Sequence, residues 1–139
     1  MSDDSSDPQS SLVVLVADDD EDILALITIG LKKAGYRVLT ATDGEQALQL
    51  ALDGKPDLAV LDIKMPGLTG LEVTERVRAA QGAANAVPIM LLTASVNEGD
   101  IASGFEAGAN DFMKKPFSPE ELRTRVRGLL RRESQKRVR

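Results

Sequence analysis

The chain has neither a cysteine nor a histidine in its 139 residues, and each absence excludes a body of chemistry. Without cysteine there is no disulfide framework and no thiolate metal site, which suits a reducing compartment and leads us to expect a cytoplasmic protein. Without histidine the commonest general base is missing, zinc sites of the usual kinds are excluded, and the chain cannot carry a phosphohistidine of its own. No apolar run approaches the roughly 18 residues of a membrane span, so no membrane partner is expected. The acidic start MSDDSSDPQSS has no hydrophobic centre and does not read as a secretion signal. What is present suffices for one domain with a real core.

Charge is distributed unevenly. Residues 1–122 carry 9 basic and 21 acidic side chains, whereas residues 123–139 carry 8 basic and 1 acidic. A basic end on an acidic domain could contact nucleic acid or an acidic partner. The favoured reading is a solvated helix face running into a linker, because charge runs are usually solvated.

Residues 1–11, rich in Ser and Asp, are expected to be disordered. From Leu12 the run to Ala17 is continuously apolar, as expected of a strand covered on both faces, and ends in Asp18, Asp19, Asp20, Glu21 and Asp22. Ile23, Leu24, Ile27 and Leu31 then mark one face of a helix stopped by Gly35. A second short strand covers residues 36–41. Thr42 and Glu45 have capping-box spacing ahead of a helix through Ala47 and Ala51. A third apolar run, Leu58 to Leu61, delivers Asp62 to its C-terminal end, and Thr69 with Glu72 caps the next helix. The fourth strand, over residues 87–92, ends at Thr93. The following helix, residues 96–108, contains Gly99 and Gly104 and is expected to be the weakest and most mobile element. Asp111 to Lys114 is a fifth strand, Lys115 and Pro116 follow, and Ser118 caps a last helix with its stripe at Leu122, Val126, Leu129 and Leu130.

Alternation of five strands with five helices predicts an α/β fold, a doubly wound parallel sheet with helices on both faces. In such sheets the site lies at the carboxyl ends of the strands. Asp18, Asp19, Asp62, Thr93 and Lys115 all fall there. Three carboxylates within about 5 Å repel by roughly 3 kcal/mol per pair at an effective dielectric of 20, so the cluster needs cations. Lys115 supplies one. A hard divalent ion suits the remaining oxygen-only donors, which points to magnesium, with manganese able to substitute. Such a site polarises an incoming phosphoryl group while Asp62 attacks in line, and Thr93 and Lys115 can bind the remaining phosphoryl oxygens.

The motifs VLVADDDED, LDIKMPGLTGLE, LLTA and KKPFSPEEL, in this order, resemble the receiver domain of bacterial two-component response regulators over about residues 12–132. That resemblance implies a flavodoxin-like receiver fold of strand order 2-1-3-4-5, with residues 133–139 as a basic tail or the start of a linker. It makes Asp62 the phosphoacceptor, served by a histidine kinase or a histidine phosphotransfer protein. Asp18, Asp19, Asp62 and the backbone carbonyl of Lys64 become the magnesium ligands. Thr93 and Phe112 become a switch pair, Lys64 and Ser95 modulators of phosphoryl lifetime, and Lys115-Pro116 the site of a cis peptide. Such a chain is a signalling domain that promotes its own phosphorylation and dephosphorylation rather than an enzyme acting on others.

The ending also resembles receivers of winged-helix transcription factors, which dimerise through the face of the fourth helix, fifth strand and fifth helix. Asp111, Glu121, Arg125 and Arg132 match that face, but Ile101 and Ala107 stand where charged partners are usual. We therefore expect an output domain or partner protein, a homodimer weakened by missing ion pairs, and no direct DNA binding by this segment. Two other readings compete. An aspartyl-phosphate phosphatase of the haloacid dehalogenase type would use Asp18 and Asp20 as a DxD pair. A nucleotide-binding flavodoxin-like protein would need a Gly- or Ser-rich loop after the first strand, where five acids would repel its ligand.

Overall fold

The computed structural model describes residues 12–94 and 97–138; the N-terminal extension, Ser95, Val96 and Arg139 lie outside the described residues. Five strands alternate with five helices: β1 (Val13–Ala17), α1 (Glu21–Lys33), β2 (Arg37–Ala41), α2 (Gly44–Asp53), β3 (Leu58–Asp62), α3 (Gly70–Ala79), β4 (Ile89–Thr93), α4 (Glu98–Ala107), β5 (Asp111–Lys114) and α5 (Pro119–Val138). A one-turn 3-10 helix (Ala83–Ala86) precedes β4. The strands form one sheet of order β2-β1-β3-β4-β5, with every pairing parallel. This is the doubly wound architecture that the alternation predicts.

The strands are continuously apolar because their alternate residues enter two separate cores. Val14, Val16, Leu58, Val60, Met90 and Leu92 pack with Leu24, Ile27 and Leu31 of α1 and with Leu122, Val126 and Leu129 of α5. Leu15, Ala17, Ala59, Leu61, Ile89 and Leu91 pack with Ala47 and Ala51 of α2 and with Val73 and Val77 of α3. A period of two thus assigns each strand residue to a face. Full burial of one such Leu or Val side chain contributes roughly 1.5–3 kcal/mol.

Helix termini mostly follow the local chemistry. Asp20 caps α1 by accepting from the N–H groups of Asp22 and Ile23, and Thr69 and Glu72 form the expected reciprocal capping box of α3. At α2 the cap differs from the expectation: Asp43, not Thr42, accepts from the Gln46 N–H, at 2.8 Å. Gln46 Oε1 in turn accepts from the Thr42 N–H. The shift has a tertiary reason, since the Gly44 N–H donates to the Pro66 carbonyl at 3.0 Å and ties the start of α2 to the loop after β3. α5 begins under Ser118 Oγ, which accepts from the Glu121 N–H, and continues to Val138 through the segment expected to be a tail.

The edge opposite the strand carboxyl ends is held by Arg78 of α3. Its guanidinium donates to the carbonyls of Gly108 and Val87 and to Asn110 Oδ1. One side chain thereby joins α3 to the segments that lead into β4 and β5.

Candidate functional site

Parallel register sets the site. Ala17 pairs with Leu61 of β3, so Asp18, one residue on, comes level with Asp62, the last residue of its strand. Asp62 pairs with Leu92 and Thr93 with Lys114, which brings Thr93 and Lys115 to the same edge. The Lys115 N–H is tied to the Thr93 carbonyl at 2.7 Å. Of the five polar residues identified at strand ends, Asp19, Asp62, Thr93 and Lys115 therefore line one open cleft, and Asp18 lies buried beneath it.

Their environments differ sharply. Asp18 is fully buried, and Asp62 and Thr93 are each 6 % exposed, whereas Asp19 is exposed. Carboxylate oxygens of Asp18, Asp19 and Asp62 all lie within 4.8 Å of one another. Lys115 Nζ stands 2.9 Å from Asp18 Oδ2 and 3.3 Å from Asp62 Oδ1. Asp18 Oδ1 accepts from the Asp20 N–H, while the buried Oδ2 has no aligned hydrogen-bond donor, so its contact with the ammonium is chiefly one of charge. Lys64 and Asp100 complete the cleft wall. Asp100, on α4, was not anticipated; it belongs to a capping pair with Asn97, and only the approach of α4 to the sheet brings it here.

Burial, and then the neighbouring charge of Asp18, push the Asp62 carboxyl up to about 6, against the lowering effect of Lys115. Burial works against the Lys115 ammonium as well, but its contact with Asp18 and the charges of Asp62 and Asp18 outweigh that and hold it above its ordinary value. Three carboxylates against one ammonium leave a surplus of two negative charges near neutrality. That surplus and the all-oxygen donor set fit a hard divalent cation such as magnesium.

The α3 start is packed directly on the backbone that carries Asp62. The Gly70 N–H donates to the Ile63 carbonyl at 2.8 Å, and a Cβ on Gly70 would lie 2.5 Å from the Asp62 carbonyl oxygen. Gly70→Ala must therefore displace this backbone, and overpacking of this kind costs about 1–3 kcal/mol. Urea denaturation and the amide resonances of Asp62 and Ile63 should both register the change; a variant with native stability and unmoved resonances would show that the close approach is not needed.

A doubly wound parallel sheet with three carboxylates, a hydroxyl and an ammonium at the carboxyl edge of its strands defines an α/β class with its site at that edge. The chain belongs, within that class, to the response regulator receiver domain family, whose model matches residues 14–127. It is 47 % identical over 119 residues to the alkaline phosphatase synthesis transcriptional regulatory protein PhoP of Bacillus subtilis, covering 86 % of this chain and 48 % of that protein. It is likewise 47 % identical over 119 residues to the transcriptional regulatory protein PrrA of Mycobacterium tuberculosis, covering 86 % of this chain and 50 % of that protein. The chain spans about half the length of these relatives. Among solved structures, the chemotaxis response regulator CheY4 of Vibrio cholerae matches with a TM-score of 0.79 at 34 % identity, over 84 % of this chain and 96 % of that one.

The family leaves no support for the haloacid dehalogenase alternative, and the geometry agrees. Asp20, the second acid of the DxD pair, is committed to capping α1. Phe112 is partly buried and packs against the core half that contains Leu91 and Ala109. The Lys115-Pro116 bond is cis, as the resemblance implies. Among the described residues no helix is long and apolar enough to cross a membrane.

Proposed function

We propose that this chain is a phosphorylation-dependent signalling receiver that takes a phosphoryl group onto Asp62 from a histidine kinase or a histidine phosphotransfer protein in the cytoplasm. The observation that carries the reading is the grouping of Asp18, Asp19 and Asp62 within 4.8 Å in a receiver family member, with Lys115 against two of them. An Asp62 carboxylate oxygen attacks phosphorus, the bond from phosphorus to the donor breaks in line, and the donor departs with the electron pair. Asp18, Asp19, Asp62 and the Lys64 carbonyl would hold magnesium or manganese, which would supply charge neutralisation at the phosphoryl oxygens.

Lys115 and the Thr93 hydroxyl bind the phosphoryl oxygens left over, and Thr93 with Phe112 carries the change to α4, β5 and α5. Lys64, exposed at the cleft, modulates the lifetime of the acyl phosphate, as does Ser95, and the domain promotes its own dephosphorylation. The responding face serves an output domain or partner protein. A homodimer through this face is weakened because Arg125 already pairs within the chain, with Asp111 at 3.2 Å and Glu121 at 3.7 Å. Exposed pairs contribute only about 0–1 kcal/mol each. The relatives named as transcriptional regulators extend well beyond the matched segment, and this segment is assigned no direct contact with DNA.

Incubation with acetyl phosphate and magnesium, followed by intact mass measurement, tests the reading. The native chain gains one phosphoryl group, chelation of magnesium prevents it, and Asp62→Asn gains none. Phosphorylation that persists in the variant would move the nucleophile elsewhere.

A further inference from the structure

We propose that Gly104 is the seat of the Phe112 ring, and that the missing side chain at this position sets how readily α4 and β5 respond to the phosphoryl group. The second half of this inference rests on the reading of Phe112 as a switch; the first half rests on geometry alone.

Gly104 lies inside α4 with a helical backbone, so its conformational freedom goes unused there. Glycine in that position only weakens the helix relative to alanine. Packing supplies the reason for it. A Cβ built on Gly104 would lie 2.0 Å from Phe112 Cζ, 2.8 Å from Cε2 and 3.0 Å from Cε1, so the outer edge of the ring occupies the space that any side chain would take. The next residue, Phe105, meets the same ring edge-on, with centroids 5.0 Å apart and planes at 64°, a favourable aromatic geometry. α4 thus holds the ring from two sides. The other glycine of this helix has no such neighbour, since a Cβ on Gly99 meets only Asn97 Oδ1 at 3.4 Å.

Two arrangements follow. With hydrogen at position 104 the ring lies against α4 and joins the core half around Leu91 and Ala109. With a methyl there, either the ring leaves or α4 moves off the sheet. Phe112 pairs with Leu91, and Thr93, two residues further along that strand, pairs with Lys114. The ring is therefore seated on the same two strands that deliver Thr93 and Lys115 to the cleft, and its position and that of α4 are linked by contact. Gly104 is a positioning residue, acting through Phe112.

A double-mutant cycle decides the seat. Thermal melts of the full chain without phosphodonor should show Gly104→Ala lowering Tm by about 3–6 °C, whereas in a Phe112→Ala background the same change leaves Tm unaltered or raises it, through helix propensity. Gly99→Ala serves as the helix control and should not lower Tm. An equal fall in both backgrounds overturns the seat. If Gly104→Ala fails to fold alone but folds with Phe112→Ala, the seat stands; failure in both overturns it.

Titration with beryllium fluoride in magnesium, followed by the Thr93 amide resonance, decides the regulatory role. The midpoint should rise about tenfold in Gly104→Ala, a population shift of one decade, and should not rise further when Gly104→Ala is added to Phe112→Ala. A native midpoint in Gly104→Ala overturns the regulatory role while the melts still decide the seat. No adduct in the native chain would instead overturn the phosphoacceptor reading, and the regulatory role with it.

Discussion

Lys115→Ala is expected to destabilise the chain by about 3–5 kcal/mol at pH 7 without divalent cations, the scale on which breaking one side of a buried ion pair is costly. The ammonium is 2.9 Å from the Asp18 Oδ2 and 3.3 Å from Asp62 Oδ1, and Asp18 is fully buried. Removing the cation leaves two carboxylates facing each other with little water to screen them. The loss should shrink as pH falls, because Asp62, no longer held down by Lys115, takes up a proton at or above the value of about 6 that it has beside that lysine. Magnesium should also return part of it, because without the lysine the acids bind the cation more tightly than in the native chain, and at saturation each tenfold in affinity narrows the difference by about 1.4 kcal/mol. On the proposed reading the variant is expected to keep magnesium binding but to lose the conformational response to the phosphoryl group. Urea melts at pH 5 and pH 7, with and without magnesium, check the energetic claim; a loss that ignored both variables would show that Lys115 is not balancing these acids.

Asp62→Asn should move stability the other way. The Asp62 carboxyl is raised from 3.8 to about 6, by burial first and then by the charge of Asp18, so the folded state binds its proton more tightly than the unfolded chain does. For a group shifted upward in this direction, stability falls as pH rises from about 4 through 6, and the cost is fully present above 6. A shift of this size corresponds to an upper bound of about 3 kcal/mol at 1.36 kcal/mol per unit. Solvent at the open side of the cleft reduces the expected effect to about 1–2 kcal/mol. Without divalent cations Asp62→Asn is therefore more stable than the native chain at pH 7, and the difference closes near pH 4. With magnesium the gap is expected to narrow or reverse, because the native site, with three carboxylates to two, gains more from the cation. Paired urea titrations across this pH range would contradict the assignment if the native chain were the more stable one at pH 7 without metal.

Where sequence and structure part, the cause is a through-space contact. Thr42 with Glu45 and Asp43 with Gln46 are overlapping cap spacings of similar local merit. The bond from Gly44 to the Pro66 carbonyl selects the second. Gly99 and Gly104 read alike as weak points of one helix, yet only Gly104 has an aromatic ring in the place of its side chain. Arg78 reads as one more charge on a helix, and its four hydrogen bonds to the segments before β4 and β5 have no local signature.

The order of the elements, the two-faced burial of each strand and the list of polar groups at strand ends were determined by the sequence alone. Those features depend on periodicity, turn chemistry and caps, which act over a few residues. How the charges at those ends are balanced was decided by the tertiary structure. Asp18 and Asp19 are adjacent, but one is wholly buried and the other exposed, and Asp18 and Asp62 face the same ammonium only because parallel register brings two distant strand ends level. Desolvation and Coulomb energy follow distance and surrounding dielectric, and neither can be read from separation along the chain.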